Sequence, residues 1–266
     1  MGKMGIMKGM STIHNLENCM VCGSRLDYRK KSGEMTCAYC GRVEQGHITC
    51  PDGHFICEAC HGRDAMQAIE NLAFSAGSPD PLEIAEFMMS IPNLPMLGCQ
   101  HAFIAAGSFM AGLKNVLEGR ITDEDIREVF NRTEKQAVSG YCGLTGVCGI
   151  APAIGACFSV FLGSRCGSDS EQKITMEAVT RAATAMMELT GPSCCKAYVR
   201  SSLLSAVELF EEKFGIVLPV GNPAVICKQV VRHPHGCRGD RCPYYKAEVK
   251  DVFADAVHMP VTVCHT

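Results

Sequence analysis

The sequence predicts a mostly α protein in which a small zinc-ribbon or treble-clef-like metal module precedes a helical domain and an irregular cysteine-rich tail. Three observations carry this. Cysteines and one histidine stand in close pairs between Cys19 and Cys60, the spacing of metal knuckles. From Arg63 on, apolar residues recur at helical spacing between recognisable starts and stops. Beyond Val217 the chain turns rich in Pro and Gly, holds four more cysteines and offers only short apolar runs. The organisation expected is a flexible tail over 1–18, a Cys/His metal-binding module over 19–62, a helical Gly/Cys-rich domain over 63–216, and a Cys-rich extension over 217–266 that packs on the helical domain.

The module rests on four pairs: Cys19 with Cys22, Cys37 with Cys40, Cys50 with His54, and Cys57 with Cys60. Gaps of two or three residues let both side chains of a pair reach one ion, so eight ligands can close two tetrahedral sites, and two zinc ions are the expected cofactors. Sequential wiring gives a ribbon (Cys19, Cys22, Cys37, Cys40) and a second site (Cys50, His54, Cys57, Cys60). Interleaved wiring gives a cross-brace. His61 is an alternative to His54. Rubredoxin-type iron also suits thiolates, but closed four-ligand sites favour zinc. So short a segment cannot hold itself together by apolar burial, so metal binding supplies its folding energy.

The helices follow in order. Arg63 to Phe74 continues from the last knuckle. Asp80 as N-cap, Pro81 at the first position and Glu83 at the third open the next helix, with Ile84, Phe87, Met88 and Ile91 at helical spacing and Pro92 and Pro95 as its stop. A small-residue helix spans roughly His101 to Leu117. Thr122 and Asp125 then cap an amphipathic helix with Ile126, Val129 and Phe130 on one face. The stretch from Tyr141 to Ser164 carries no charge until Arg165. Its length would span a bilayer, but its glycines, Pro152 and three cysteines favour a buried helix or helix pair lining a site. Ser168 or Asp169 to Leu189 is a further helix. Ser193 is expected to cap the last one, from Cys194 to about Phe214, with Leu203, Leu204, Val207 and Phe210 inward. Short strands are expected at Ala224 to Cys227 and Val261 to Val263.

Composition narrows the function. A net charge of -3 supplies no basic field for nucleic acid. No apolar run of secretory type opens the sequence, so the 18 cysteines are expected in a reducing cytoplasm, as metal or redox thiols rather than disulfides. There is no phosphate-binding loop, dinucleotide fingerprint or serine-nucleophile elbow.

Eleven cysteines lie outside the module. Cys142 and Cys148 sit among glycines that permit close approach, with Cys157 further on. Cys194 and Cys195, followed by Lys196, lie at a helix start, where dipole and cation depress a thiol pKa; these three are the candidate catalytic residues. The tail offers Cys227, His233, His235, Cys237 and Cys242, the last followed by Pro243 as in iron–sulfur ligation. The candidate cofactor set is Cys142, Cys148, Cys194, Cys237 and Cys242, gathered from distant segments, with an iron–sulfur cluster as its candidate ligand.

The segments from Cys50 to His61, from Asp80 to Met89, from Gly140 to Gly149 and from Gly191 to Lys196 together resemble the domain of unknown function 5714 family of methanogenic archaea and anaerobic bacteria. The resemblance runs from about Cys50 to Cys242. It implies an anaerobic cytoplasm and no particular activity. Relatives carry a His-rich segment where this chain keeps His101.

The function expected is a cysteine-rich metalloprotein: a zinc module beside a cysteine-lined site for iron–sulfur or thiolate-based redox or sulfur-transfer chemistry in anaerobic metabolism. A protein partner or an electron or sulfur donor is expected, with no nucleic acid and no membrane. The alternative is a non-catalytic zinc-finger adaptor that binds a protein.

Overall fold

The computed structural model describes residues 19–245 apart from 23, 62, 92, 93, 190, 192, 222–226 and 228. The expected tail over 1–18 and the expected strand at Val261 to Val263 lie outside the described residues, as do residues 224–226 of the other.

The segments on either side of the second Cys/His pair form an antiparallel hairpin of β1 (Asp27–Thr36) and β2 (Val43–Thr49), in register from Thr36 opposite Val43 to Asp27 opposite Thr49, with an irregularity between Tyr28 and Gly33. Its turn is the second knuckle. Gly41, at φ 72°, donates its N–H to Cys37 O at 2.9 Å. Gly46 lies under the Phe55 ring, where an added Cβ would stand 2.7 Å from Cε2, so only glycine lets the hairpin close on Phe55. The module core is Met35, Cys37, Phe55, Cys57 and Cys60, too small to fold on burial alone.

A short α1 (Glu58–His61) leads into α2 (Arg63–Ser75), α3 (Pro81–Met89), α4 (Gln100–Val116), α5 (Asp123–Glu134), α6 (Tyr141–Thr145), α7 (Ile150–Leu162), α8 (Ser170–Met187) and α9 (Cys195–Phe214). The predominance of helix expected from the periodicity is what the structure has. The signalled caps form: Asp80 Oδ1 accepts from Leu82 N at 2.8 Å and Glu83 N at 3.2 Å, and Thr122 and Asp125 make a reciprocal capping box. Helix α3 stops at Met89, and its Phe87 faces solvent at 64% exposure instead of the core.

Helix α4 is buried on every side from Gln100 to Leu113, and it packs against α2, α3, α5, α7 and α9. Phe109 of α4, Phe158 and Phe161 of α7 and Phe210 and Phe214 of α9 form an aromatic cluster with centroids 4.6–6.4 Å apart. The uncharged stretch from Tyr141 divides into exposed α6 and buried α7, so the burial expected of it holds for α7 alone. No helix among the described residues is long and apolar enough to cross a membrane.

The start of α9 corrects one expectation. Cys194, not Ser193, is the N-cap residue, in extended conformation (φ -133°, ψ 104°), and the helix begins at Cys195. The two cysteines therefore leave the backbone in different directions. The extension beyond Val217 runs back over the helices. Gly221 N donates to Asp80 Oδ2 at 2.7 Å, Arg232 reaches Leu94 O at 3.1 Å, and His233 Nε2 lies 3.0 Å from Ser193 O. The Tyr28 ring of β1 meets His235 edge-on at 5.5 Å.

Candidate metal centres

The hairpin decides the grouping of the N-terminal ligands. Folding β2 back along β1 carries Cys50 to the base of the hairpin, beside Cys19 and Cys22, and leaves Cys37 and Cys40 at the tip, where the chain returns through Phe55 to Cys57. One set is Cys19, Cys22, Cys50 and His54; the other is Cys37, Cys40, Cys57 and Cys60. Within each, all ligand atoms lie within 4.8 Å of one another. This is the interleaved arrangement. His54 takes the imidazole position, and His61 belongs to neither set.

Both sets could hold a metal ion, and their spacing fits one. Cys22 Sγ stands 3.7 Å from Cys50 Sγ, Cys40 Sγ 3.6 Å from Cys57 Sγ, and Cys50 Sγ 3.4 Å from His54 Nδ1. A tetrahedral ion with sulfur at ~2.3 Å has sulfur–sulfur edges of about 3.8 Å, so the thiols already sit at coordination spacing. The electrostatics divide the labour. The Ser24 hydroxyl and then its N–H lower the Cys22 thiol to about 7. Burial opposes ionisation of Cys37, but the N–H groups of Cys57, Cys40 and Tyr39 outweigh it and bring that thiol to about 6. Burial pushes Cys57 up to about 12 and raises Cys50 and Cys60 as well. Each set thus holds one thiol ready to ionise, and a metal must displace the protons of Cys50, Cys57 and Cys60.

The cysteines of the helical part fall into two further groups. A pocket at the start of α9 is walled by Cys194, Cys227, Cys237 and Cys242, together with Met96, Arg200, His233, Arg238 and Tyr245. Its cavity is about 20 Å³. That is the room of a water molecule and excludes an organic substrate, whereas a metal bonded to the surrounding sulfurs needs little free space. Arg200 is buried and pairs with Glu86 through both carboxylate oxygens at 2.5 and 2.9 Å. Burial raises Cys194 and Cys242, against the lowering influence of Arg238 on both.

The other group lies beyond the Cys194–Cys195 peptide. Cys195 has Cys142 and Cys148 as electrostatic neighbours, and so does Cys99. The five residues expected to share one site are therefore divided: Cys194, Cys237 and Cys242 line the pocket, while Cys142 and Cys148 stand with Cys99 and Cys195. The low-pKa thiol expected at Cys194 or Cys195 is not what the fold gives. Burial raises both, because each sulfur is sunk among packed side chains and the helix end does not compensate. Lys196 is buried too, lowered to about 8 by burial and then by Arg200, with its Nζ on Met89 O at 3.3 Å.

Cys157 is a core residue whose thiol donates to Ala153 O at 3.3 Å. His101 is wholly buried, neutral and lowered to about 3 by burial, with Nδ1 3.1 Å from Gly98 O. Cys227 lacks close pair spacing, and Cys99 stands alone before a helix. The one local signal at Cys99 is position, because it stands at the start of a helix, as Cys142, Cys148 and Cys195 do.

A model of the family of unknown function DUF5714 matches residues 69–245 of the chain. The match covers the helical part and the described extension, and it begins after Cys60, the last of the N-terminal ligands. No curated protein and no solved structure matches.

Proposed function

This chain belongs to the DUF5714 family, and we propose that it is a cysteine-rich metalloprotein whose N-terminal module is folded by two zinc ions and whose helical part carries iron–sulfur or thiolate-based redox or sulfur-transfer chemistry in an anaerobic cytoplasm. The carrying observation is the small pocket at the start of α9, which four cysteines from the helix and the extension line together. Cys194, Cys237, Cys242 and Cys227 are its ligands. Arg200 and Arg238 supply positive charge toward a thiolate-bound, net negative group. When bound, the cluster or metal supplies the electron or sulfur chemistry. The chain's own residues hold it, neutralise it and shut out water. Cys195 and buried Lys196, expected beside Cys194 in a catalytic role, stand behind that wall rather than in it.

Anaerobic purification with metal and sulfide analysis and an absorption spectrum tests the reading. The iron and sulfide of the pocket, with their share of a broad visible absorption, are expected to be lost in Cys242→Ser. Zinc alone, at two ions per chain or fewer, would sink it.

The second reading, a protein-binding adaptor, has its own support. Met20, Val21, Tyr39 and Val43 are 42–53% exposed on the two knuckles, and the Tyr39 hydroxyl donates to Met20 O at 3.1 Å, so they form one apolar face. A protein retained by the wild-type module and lost on Tyr39→Ser, from a chain that holds no iron, would favour it.

A further inference from the structure

Four cysteines stand at the starts of helices on the far side of the Cys194–Cys195 peptide. Cys99 is the N-cap residue of α4, Cys142 lies in α6, Cys148 precedes the Gly149 N-cap of α7, and Cys195 opens α9. Contacts bring these ends together. The Ser139 hydroxyl stands 3.7 Å from Cys99 Sγ, and the Gly98 amide lies against the Cys195 sulfur. Gly149 packs so closely that an added Cβ would meet Ala137 at 2.8 Å and Ala102 at 3.7 Å. Ala102 is one turn of α4 beyond Cys99, so Cys148 is carried to the same helix end.

We propose that Cys99, Cys142, Cys148 and Cys195 bind an iron–sulfur cluster of their own, separate from the group held in the pocket by Cys194, Cys227, Cys237 and Cys242. The inference extends the iron–sulfur reading above, and on that reading it rests.

Three features point to a cluster rather than to packing or to a single ion. Four soft donors from four elements form a complete ligand set. Among the described residues, the sets whose ligand atoms all lie within 4.8 Å of one another are the two N-terminal ones. This quartet is not one of them, so its four thiols are not gathered on a single ion as those sets are. The amide ends of α4, α7 and α9, which are 17, 13 and 20 residues long, converge on it and favour the net negative charge of a thiolate cluster.

The arrangement places one centre on each side of a single peptide bond. Cys194 and Cys195 have Cα atoms about 3.8 Å apart, so the two centres are near enough for their unpaired spins to interact.

The test uses the full chain, purified without oxygen and reconstituted with ferrous iron and sulfide. Iron, acid-labile sulfide and zinc are counted, and spin resonance is recorded after reduction by dithionite. Iron and acid-labile sulfide are expected at two centres per chain, with a spectrum broadened by spin coupling. Cys148→Ser and Cys99→Ser should each remove about half of the iron and leave an unbroadened signal, and Cys242→Ser should remove the other half. Circular dichroism and zinc content report folding, and Cys148→Ala serves as a second variant at that position. Half the expected iron, lost with Cys242→Ser and unaffected by Cys99→Ser and Cys148→Ser, overturns the second centre and leaves the pocket reading intact. Half the iron, lost with Cys148→Ser and unaffected by Cys242→Ser, does the reverse. Zinc in place of iron at the quartet, or no iron at all, overturns the proposal.

Discussion

Glu58 of the metal module accepts a hydrogen bond from Ser139, 81 residues further along the chain. Its other carboxylate oxygen accepts from Gln100 Nε2 at 3.3 Å. Glu58 lies between Cys57 and Cys60, and Ser139 and Gln100 flank the cysteine quartet. One carboxylate thus joins a thiol set in the module to another in the helical part.

Replacing Glu58 should weaken this joint without emptying the module. In a double-mutant cycle, Glu58→Ala and Ser139→Ala are expected to couple by about 0.5–1.5 kcal/mol in denaturant unfolding. Zinc content should be unchanged in both. Strictly additive losses would mean that the contact transmits nothing.

The module should stand or fall with its metal. Cys57→Ser removes a donor from the set Cys37, Cys40, Cys57 and Cys60, and with it the energy that closes the hairpin tip. The variant is expected to lose one zinc, to become protease-sensitive before residue 62, and to keep the helical circular dichroism of α2 to α9. An intact, metal-free module would contradict this.

Helices α7 and α8 approach closely at Gly155, where an added Cβ would stand 2.4 Å from Val179 Cγ2. Gly155→Ala should therefore destabilise by about 1–3 kcal/mol despite the better helix propensity of alanine. Val179→Ala should restore most of that in the double variant, read from chemical denaturation. A stabilised Gly155→Ala would show that the helices can part at no cost.

Acid should loosen the join between α8 and α9. Glu177 is held below the ordinary carboxylate range by Lys213 and then Arg181, and Glu212 likewise by Lys213 and Arg181. A depressed carboxyl binds fewer protons in the folded chain than in the unfolded one. Its contribution is therefore fully present above about pH 4.3 and is lost as pH falls through the folded value. Thermal melts of wild type and Glu177→Gln should converge as pH drops below that point. The difference between them at neutral pH should shrink in high salt, because these groups are all in reach of solvent.

What the sequence makes legible is local chemistry. Asp80 before Pro81, and Thr122 three residues before Asp125, are caps written within one turn, and both form. The close Cys/His pairs are legible for the same reason, since two ligands on one knuckle need only a few residues. Their grouping into sets is not, because it depends on where the hairpin returns Cys50 and Cys57. Cys99 escapes notice because the thiols nearest to it come from remote segments. Phe87 misleads, since helical spacing identifies a stripe but not which neighbour covers it. The depressed pKa expected of Cys194 and Cys195 fails because a helix start acts within one turn, whereas burial is set by the whole assembly.

Cys157 and Cys166 lie nine positions apart and have opposite fates: one sulfur is sealed in α7 with Ala153 O, while the other is open to solvent in the following turn. The pair amounts to an internal clock. With the metal-type thiols occupied, a slow alkylating reagent marks Cys166 at the rate of the chemistry itself, but Cys157 only when the helices part. The ratio of the two labels reads the opening free energy of the native core at any temperature, with no probe added and no denaturant present.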